Sequence, residues 1–168
     1  MKSWSKLPAH LRWSGRPSYA DWKEFGGLLN GELRQLVVDL NDLLANWQRH
    51  FGYRVANEIG RLVVLASQQS ARTQAILRGA LDIAILEKVL PKFHGAQQEL
   101  QDPLQAVFAF AIRGKPPGVA SPKDWHMASG HLTPADTTMS LPLLPRTAAK
   151  VWRMLHRLGE QNFASFIE

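Results

Sequence analysis

The chain has no cysteine, which excludes a disulfide framework, thiolate zinc sites and cysteine nucleophiles. It also has no uninterrupted apolar run of about 18 residues, the length a membrane-spanning helix needs. The opening MKSWSKLPAHLRW lacks the apolar centre of a signal peptide, so the expectation is a cytoplasmic protein with no membrane partner. A phosphate-cradling G-x-x-x-x-G-K-[ST] loop is missing too. The Gly114-Lys115 pair is followed by Pro116 and has Ala109 where the first glycine should stand. Neither G-x-S-x-G nor H-E-x-x-H occurs, and no strand ends in paired acidic residues to position magnesium and water. No catalytic residue can be assigned, and the chain is not expected to be an enzyme on its own.

With 168 residues, 45% hydrophobic and 20% charged, the sequence suits a single soluble globular domain with a sizeable core. Its formal charge of +6 favours polyanionic partners, because a basic surface gains affinity by releasing counterions from nucleic acid.

The first 27 residues carry Trp4, Trp13 and Trp22 among Pro8, Gly15, Pro17, Gly26 and Gly27, with no sustained period. They are expected to form an extended arm, its tryptophans pinned on a helical body. Residues 28–168 then form the helical domain. From about Asn30, Leu33, Leu36, Val37, Leu40, Leu43, Leu44 and Trp47 recur at three- and four-residue steps, one face of an amphipathic helix. Phe51-Gly52 interrupts it, and Val55, Ile59, Leu62, Val63 and Ala66 mark a second helix to about Gln68. These two helices are expected to pack as a hairpin. A third helical region runs from about Thr73 to Leu90, with Gly79 as a dividing point and Asp82 as a cap for its later part; Pro91 and Gly95 stop it. Its half from Ile83 to Leu90 is apolar on most sides, which places it inside a bundle. Pro103 suits the first turn of a fourth helix to about Ile112. The predicted class is therefore all-α, about five helices, with a long Pro-rich loop near 113–145 that has room for short strands or turns around Trp125 and Leu141.

A final helix, about Arg146 to Leu158, separates its chemistry by face. Ala148, Val151, Trp152, Leu155 and Leu158 point inward, whereas Arg146, Lys150, Arg153 and Arg157 form a basic stripe. Such a stripe is either a solvated face suited to a helix C-terminus or a contact to phosphate, in nucleic acid or in a nucleotide held by an adjoining domain. In the long loop, Asp124, His126, His131 and Asp136 have the donor types of a divalent-metal site, but their spacing is irregular and polar surface is the expected role; no metal is assigned.

Three phrases stand apart from generic helix filler: FGYRVANEI at 51–59, LDIAILEKVLPKFHG at 81–95 and LPRTAAKVWRML at 144–155. In this order they resemble the C-terminal helical region of McrB-like AAA+ ATPases, the family of the GTPase subunit of methylcytosine-specific restriction systems. The resemblance covers residues 28–112 and 143–166. It implies a non-catalytic helical lid and assembly domain that senses nucleotide and contacts neighbouring subunits of an oligomeric ring, in a DNA restriction or phage-defence system. The implied partner is an AAA+ nucleotide-binding core, in cis or in trans, carrying GTP or ATP with magnesium; DNA is a further candidate partner. The chain itself then needs no cofactor.

A lid arginine often reaches the terminal phosphates, where its planar cation offsets charge developing in phosphoryl transfer. Two positions match that role, Arg146 and Arg54. Arg146 is preferred because Pro145 fixes the approach of the chain. Arg54 has an equally good alternative in a salt bridge to Glu58 one turn later. Lys150, Arg153 and Arg157 remain candidates for contact with phosphate or nucleic acid. Were the chain instead a stand-alone nucleic-acid-binding module, the same stripe and the tryptophan arm would carry the binding.

Overall fold

The computed structural model describes residues 19–70, 72–114 and 120–167. Among them, six α-helices and four short strands follow one another as α1 (Tyr19–Phe25), α2 (Glu32–Ala45), α3 (Tyr53–Gln69), α4 (Gln74–Lys88), β1 (Gly95–Ala96), α5 (Gln97–Arg113), β2 (Trp125–Ala128), β3 (His131–Pro134), α6 (Pro145–Gln161) and β4 (Phe163–Ala164). Three 3-10 turns, Leu28–Gly31, Leu90–Lys92 and Pro122–Asp124, join them. No helix among the described residues is long and apolar enough to cross a membrane.

The strands correct the all-α expectation. They form two separate two-stranded antiparallel ladders, β1 with β4 and β2 with β3. The first ladder pairs Gly95 with Ala164 and Ala96 with Phe163, closing the end of the chain on the turn before α5. The second is a hairpin in which Trp125 faces Pro134 and Ala128 faces His131. It occupies much of the expected Pro-rich loop, strands arising around Trp125 but not around Leu141. Residues 115–119 of that loop lie outside the described residues.

The apolar periods place the helices well. In α2 the buried apolar side chains are Leu33, Leu36, Val37, Leu40 and Leu44, and in α3 Ile59, Val63 and Val64, the stripes that three- and four-residue spacing brings to one face. Thr73 caps α4 by accepting the backbone N–H of Ile76 at 3.3 Å. Gly79 does not divide that helix, which runs unbroken to Lys88. It packs between α3 and α6, in keeping with its apolar circumference, while α5 lies along α6.

Four expectations are overturned by long-range packing. The extended arm predicted over 1–27 is helical at Tyr19–Phe25; Trp4 and Trp13 lie outside the described residues. Phe25 is fully buried, and an added Cβ on Gly60 of α3 would stand 3.2 Å from its ring. The missing side chain at Gly60 is thus what lets α1 approach α3. The α2–α3 hairpin is replaced by this packing: α3 lies chiefly against α1 and α4, and a groove of about 650 Å³ lined by Val37, Asn41, Tyr53 and Asn57 separates α2 from the start of α3. Pro103 is in the interior of α5, not its first turn. The helix starts at Gln97 because buried Leu100 extends the Leu104, Val107 and Phe108 stripe by one turn, and the proline removes only the N–H that would have bonded the Glu99 carbonyl. Finally, Asp82 does not cap its own helix.

Candidate phosphate-contact site

Asp82 sits in the middle of α4 and is 1% exposed. A buried carboxylate is costly unless hydrogen-bonded, and its partners come from the other end of the sequence. One oxygen accepts the backbone N–H of Arg146 at 2.7 Å and the other that of Thr147 at 2.9 Å. The Thr147 hydroxyl returns a bond to the Asp82 carbonyl at 3.3 Å. Asp82 therefore takes the place of a capping side chain, which Leu144 at the N-cap position does not supply: it satisfies orphan donors in the first turn of α6 and places negative charge at the positive end of that helix's dipole.

Two further bonds set the entry to α6. The backbone N–H groups of Leu143 and Leu144 donate to the carbonyls of Ile112 and Ala111, at 3.1 and 2.9 Å. The segment before α6 is thus held on the last turn of α5 while its first turn is held on α4. Pro145, at the first position of α6, supplies a preset backbone angle and lacks the N–H that would need a partner. Arg146 follows with its main chain fixed and its side chain exposed. Its guanidinium makes no hydrogen bond or ion pair among the described residues.

Arg54 is placed differently. It lies at the start of α3, its side chain 83% exposed, and bonds Glu58 at 3.2 Å. Glu58 also receives Lys88 of α4 at 3.2 Å. Partial burial works against ionisation of Glu58, but the hydrogen bonds from Lys88 and Arg54 outweigh it and hold the carboxyl below its usual value. Arg54 thus joins α3 to α4 through a three-residue ion network. It shares no hydrogen bond with Arg146.

The basic stripe of α6 is divided. Lys150 lies 5.0 Å above the Phe166 ring, a cation–π contact near the chain's end. Arg157 is half-buried and engaged within the chain. Arg153 is exposed and makes no hydrogen bond or ion pair among the described residues. The cations left available are Arg146 and Arg153, seven residues or about 10 Å apart along the helix.

The loop histidines and carboxylates do not converge. His126 pairs across the hairpin with Thr133, Nε2 to Oγ1 at 3.1 Å. Asp136 accepts the Thr138 backbone N–H at 2.9 Å, a bond that holds its carboxyl below the ordinary value. Among the described residues, no three His, Asp or Glu side chains are grouped to hold a metal ion. The hairpin is instead anchored by tryptophans. Trp125 packs edge-on against Phe108 at 6.4 Å, and the Trp152 indole N–H donates to the carbonyls of Pro122 and Trp125 at 3.1 and 3.2 Å.

Sequence reasoning missed Asp82 as the anchor of Arg146 and two arginines, Arg78 and Arg113, that line a cleft beside Pro145. A lone carboxylate within the apolar run LDIAIL at 81–86 was the available signal for Asp82, since such a group is buried only with a partner. Nothing in the spacing of Arg78 and Arg113 links them. A family model described as Domain of unknown function (DUF8727) matches residues 13–163. No curated protein and no solved structure matches the chain.

Proposed function

We propose that the chain, which belongs to the family that this model defines, is a non-catalytic lid and assembly domain of a McrB-like AAA+ NTPase; what supports the reading is that the three phrases resembling such lids lie on α3, α4 and α6 of one helical body. In this role Arg146 presents a cation to nucleotide phosphate held with magnesium by a partner core, and neighbouring ring subunits contact the helical body. The observation that carries the proposal is the pair of hydrogen bonds that the Asp82 carboxylate accepts from the backbone N–H groups of Arg146 and Thr147. The two bonds fix the root of an exposed guanidinium, unpaired among the described residues, at a rigid helix start, and preorganised cations of this kind contribute most where charge develops during phosphoryl transfer. Arg54 supports the reading less well, since Glu58 already neutralises it.

The test is reconstitution with an AAA+ core that carries the phosphate loop. The chain should bind the nucleotide-loaded core, and Arg146→Ala should lower hydrolysis by roughly 10- to 100-fold while leaving association intact. Arg54→Ala should change hydrolysis little. No association, together with unchanged hydrolysis in the Arg146 variant, overturns the assignment.

Arg146 and Arg153, both exposed and without an ion pair among the described residues, favour one competing reading, a stand-alone nucleic-acid-binding module. Its prediction is a mobility shift that weakens steeply with salt and is lost in the Arg146→Ala, Arg153→Ala double variant. Absence of any shift at low salt rejects it.

A further inference from the structure

A cleft of about 800 Å³ opens between α4, the end of α5 and the 138–145 segment. Its lining combines two guanidinium groups, Arg78 and Arg113, with the Ser140 hydroxyl and the apolar side chains of Met139, Leu141 and Leu143. No carboxylate is among the lining residues. Arg78 gives one nitrogen, Nη2, to Glu32 on α2, but its Nε is buried and has no acceptor among the described residues. Buried donors are normally paired; the Arg78 side chain as a whole is 33% exposed, so the outer part of its guanidinium faces the cleft. Arg113 is exposed and makes no ion pair among the described residues.

Gly79 adds an independent observation. It lies in the interior of α4 and lines the cleft, where glycine disfavours a helix relative to alanine. Packing does not require it, since a Cβ built there would meet nothing within 4 Å. The effect of glycine at this position is to leave open space in the cleft and bare helix backbone toward whatever enters.

We propose that this cleft binds a small organic oxyanion with an apolar body. The anionic head lies on Arg78 and Arg113, whose planar forks suit phosphate and carboxylate alike. The body lies on Met139, Leu141 and Leu143, which supply the apolar lining typical of small-molecule sites. Arg146 is not among the lining residues, so this site does not rest on the lid assignment, and binding by the isolated chain tests it without any partner.

The experiment is calorimetric titration of the full 168-residue chain with p-nitrophenyl phosphate, 2-naphthoate and inorganic phosphate. Saturable one-to-one binding of at least one aromatic anion is expected, weakened at least tenfold by Arg113→Glu, which reverses an exposed charge, and by Gly79→Leu, which fills the cleft. Inorganic phosphate should bind more weakly than p-nitrophenyl phosphate, because it lacks the body. Binding of p-nitrophenyl phosphate alone identifies a phosphate head, of naphthoate alone a carboxylate head, and of both a general oxyanion site. No saturable binding of either aromatic probe at millimolar concentration, or binding that both variants leave unchanged, overturns the proposal. Should Gly79→Leu fail to fold, Arg113→Glu decides the matter.

Discussion

Asp82 and Thr147 lie 65 residues apart in the chain, yet the carboxylate of one caps the helix that the other begins, at 2.9 Å. The same carboxylate holds the Arg146 N–H at 2.7 Å, so α4, the centre of the bundle, sets where α6 starts. Asp82→Ala leaves two N–H groups without their acceptor in a buried setting and should cost about 2–4 kcal/mol. Asp82→Asn keeps one acceptor oxygen and should cost less. Urea unfolding measures both, and equal losses for the two variants would contradict a capping role.

Glu58 links stability to pH. Its carboxyl is held below its usual value by Lys88 and Arg54 despite partial burial. The folded state therefore binds fewer protons than the unfolded state near the unfolded value of 4.5. The stabilisation is fully present above that pH and is lost as the pH falls through the lower folded value. Glu58→Gln should cost about 0.5–1 kcal/mol at neutral pH and should flatten the stability profile between neutral and acidic pH, as read by denaturant unfolding at a series of pH values.

Two helical glycines should respond in opposite directions. Gly79→Ala adds a methyl where nothing lies within 4 Å, and should stabilise α4 by about 1 kcal/mol, raising the melting temperature by about 2–4 °C. Gly60→Ala sets a methyl 3.2 Å from the Phe25 ring, and should destabilise by about 1–2 kcal/mol as α1 is pushed off α3. Calorimetric melting compares them directly. A destabilised Gly79→Ala would show that the cleft at this position is narrower than described.

Trp152→Phe removes the N–H that donates to Pro122 and Trp125 while keeping most of the ring. The loss should be about 1 kcal/mol globally. Its local signature should be larger: faster amide exchange across the hairpin of β2 and β3 than in α3 or α4. Uniform acceleration across the chain would instead mean that Trp152 acts through the general core.

Legibility from sequence followed the range of the interactions. The stripes of α2, α3 and α6 and the start of α4 near Thr73 rest on contacts within a few residues, and they emerged where spacing placed them. The Arg54–Glu58 pair, one turn apart, was readable for the same reason. By contrast α1 is only seven residues long, too short to show a period, and its stability comes from burying Phe25 against Gly60. The start of α5 was hidden by the polar run Gln97–Asp102, where Leu100 alone carries the buried stripe. The strands β1 and β4 are two residues each and have no pattern of their own.

The sequence by itself determined that the protein is built mainly of amphipathic helices, carries no phosphate loop and no cysteine chemistry, and presents a basic stripe on its last helix. These follow from composition and from periods of three and four residues, which act locally. Only the tertiary structure decided which of those cations are available. Lys150 turns to Phe166 and Arg157 is engaged within the chain, whereas Arg146 and Arg153 are left exposed. It alone decided that Asp82 serves α6 rather than α4, and that Arg78 and Arg113 meet around one cleft. A helix's period says which face is apolar, but not which neighbour covers it. That choice is made by contacts between residues far apart in the chain, where a buried carboxylate must find donors and a missing side chain admits a ring.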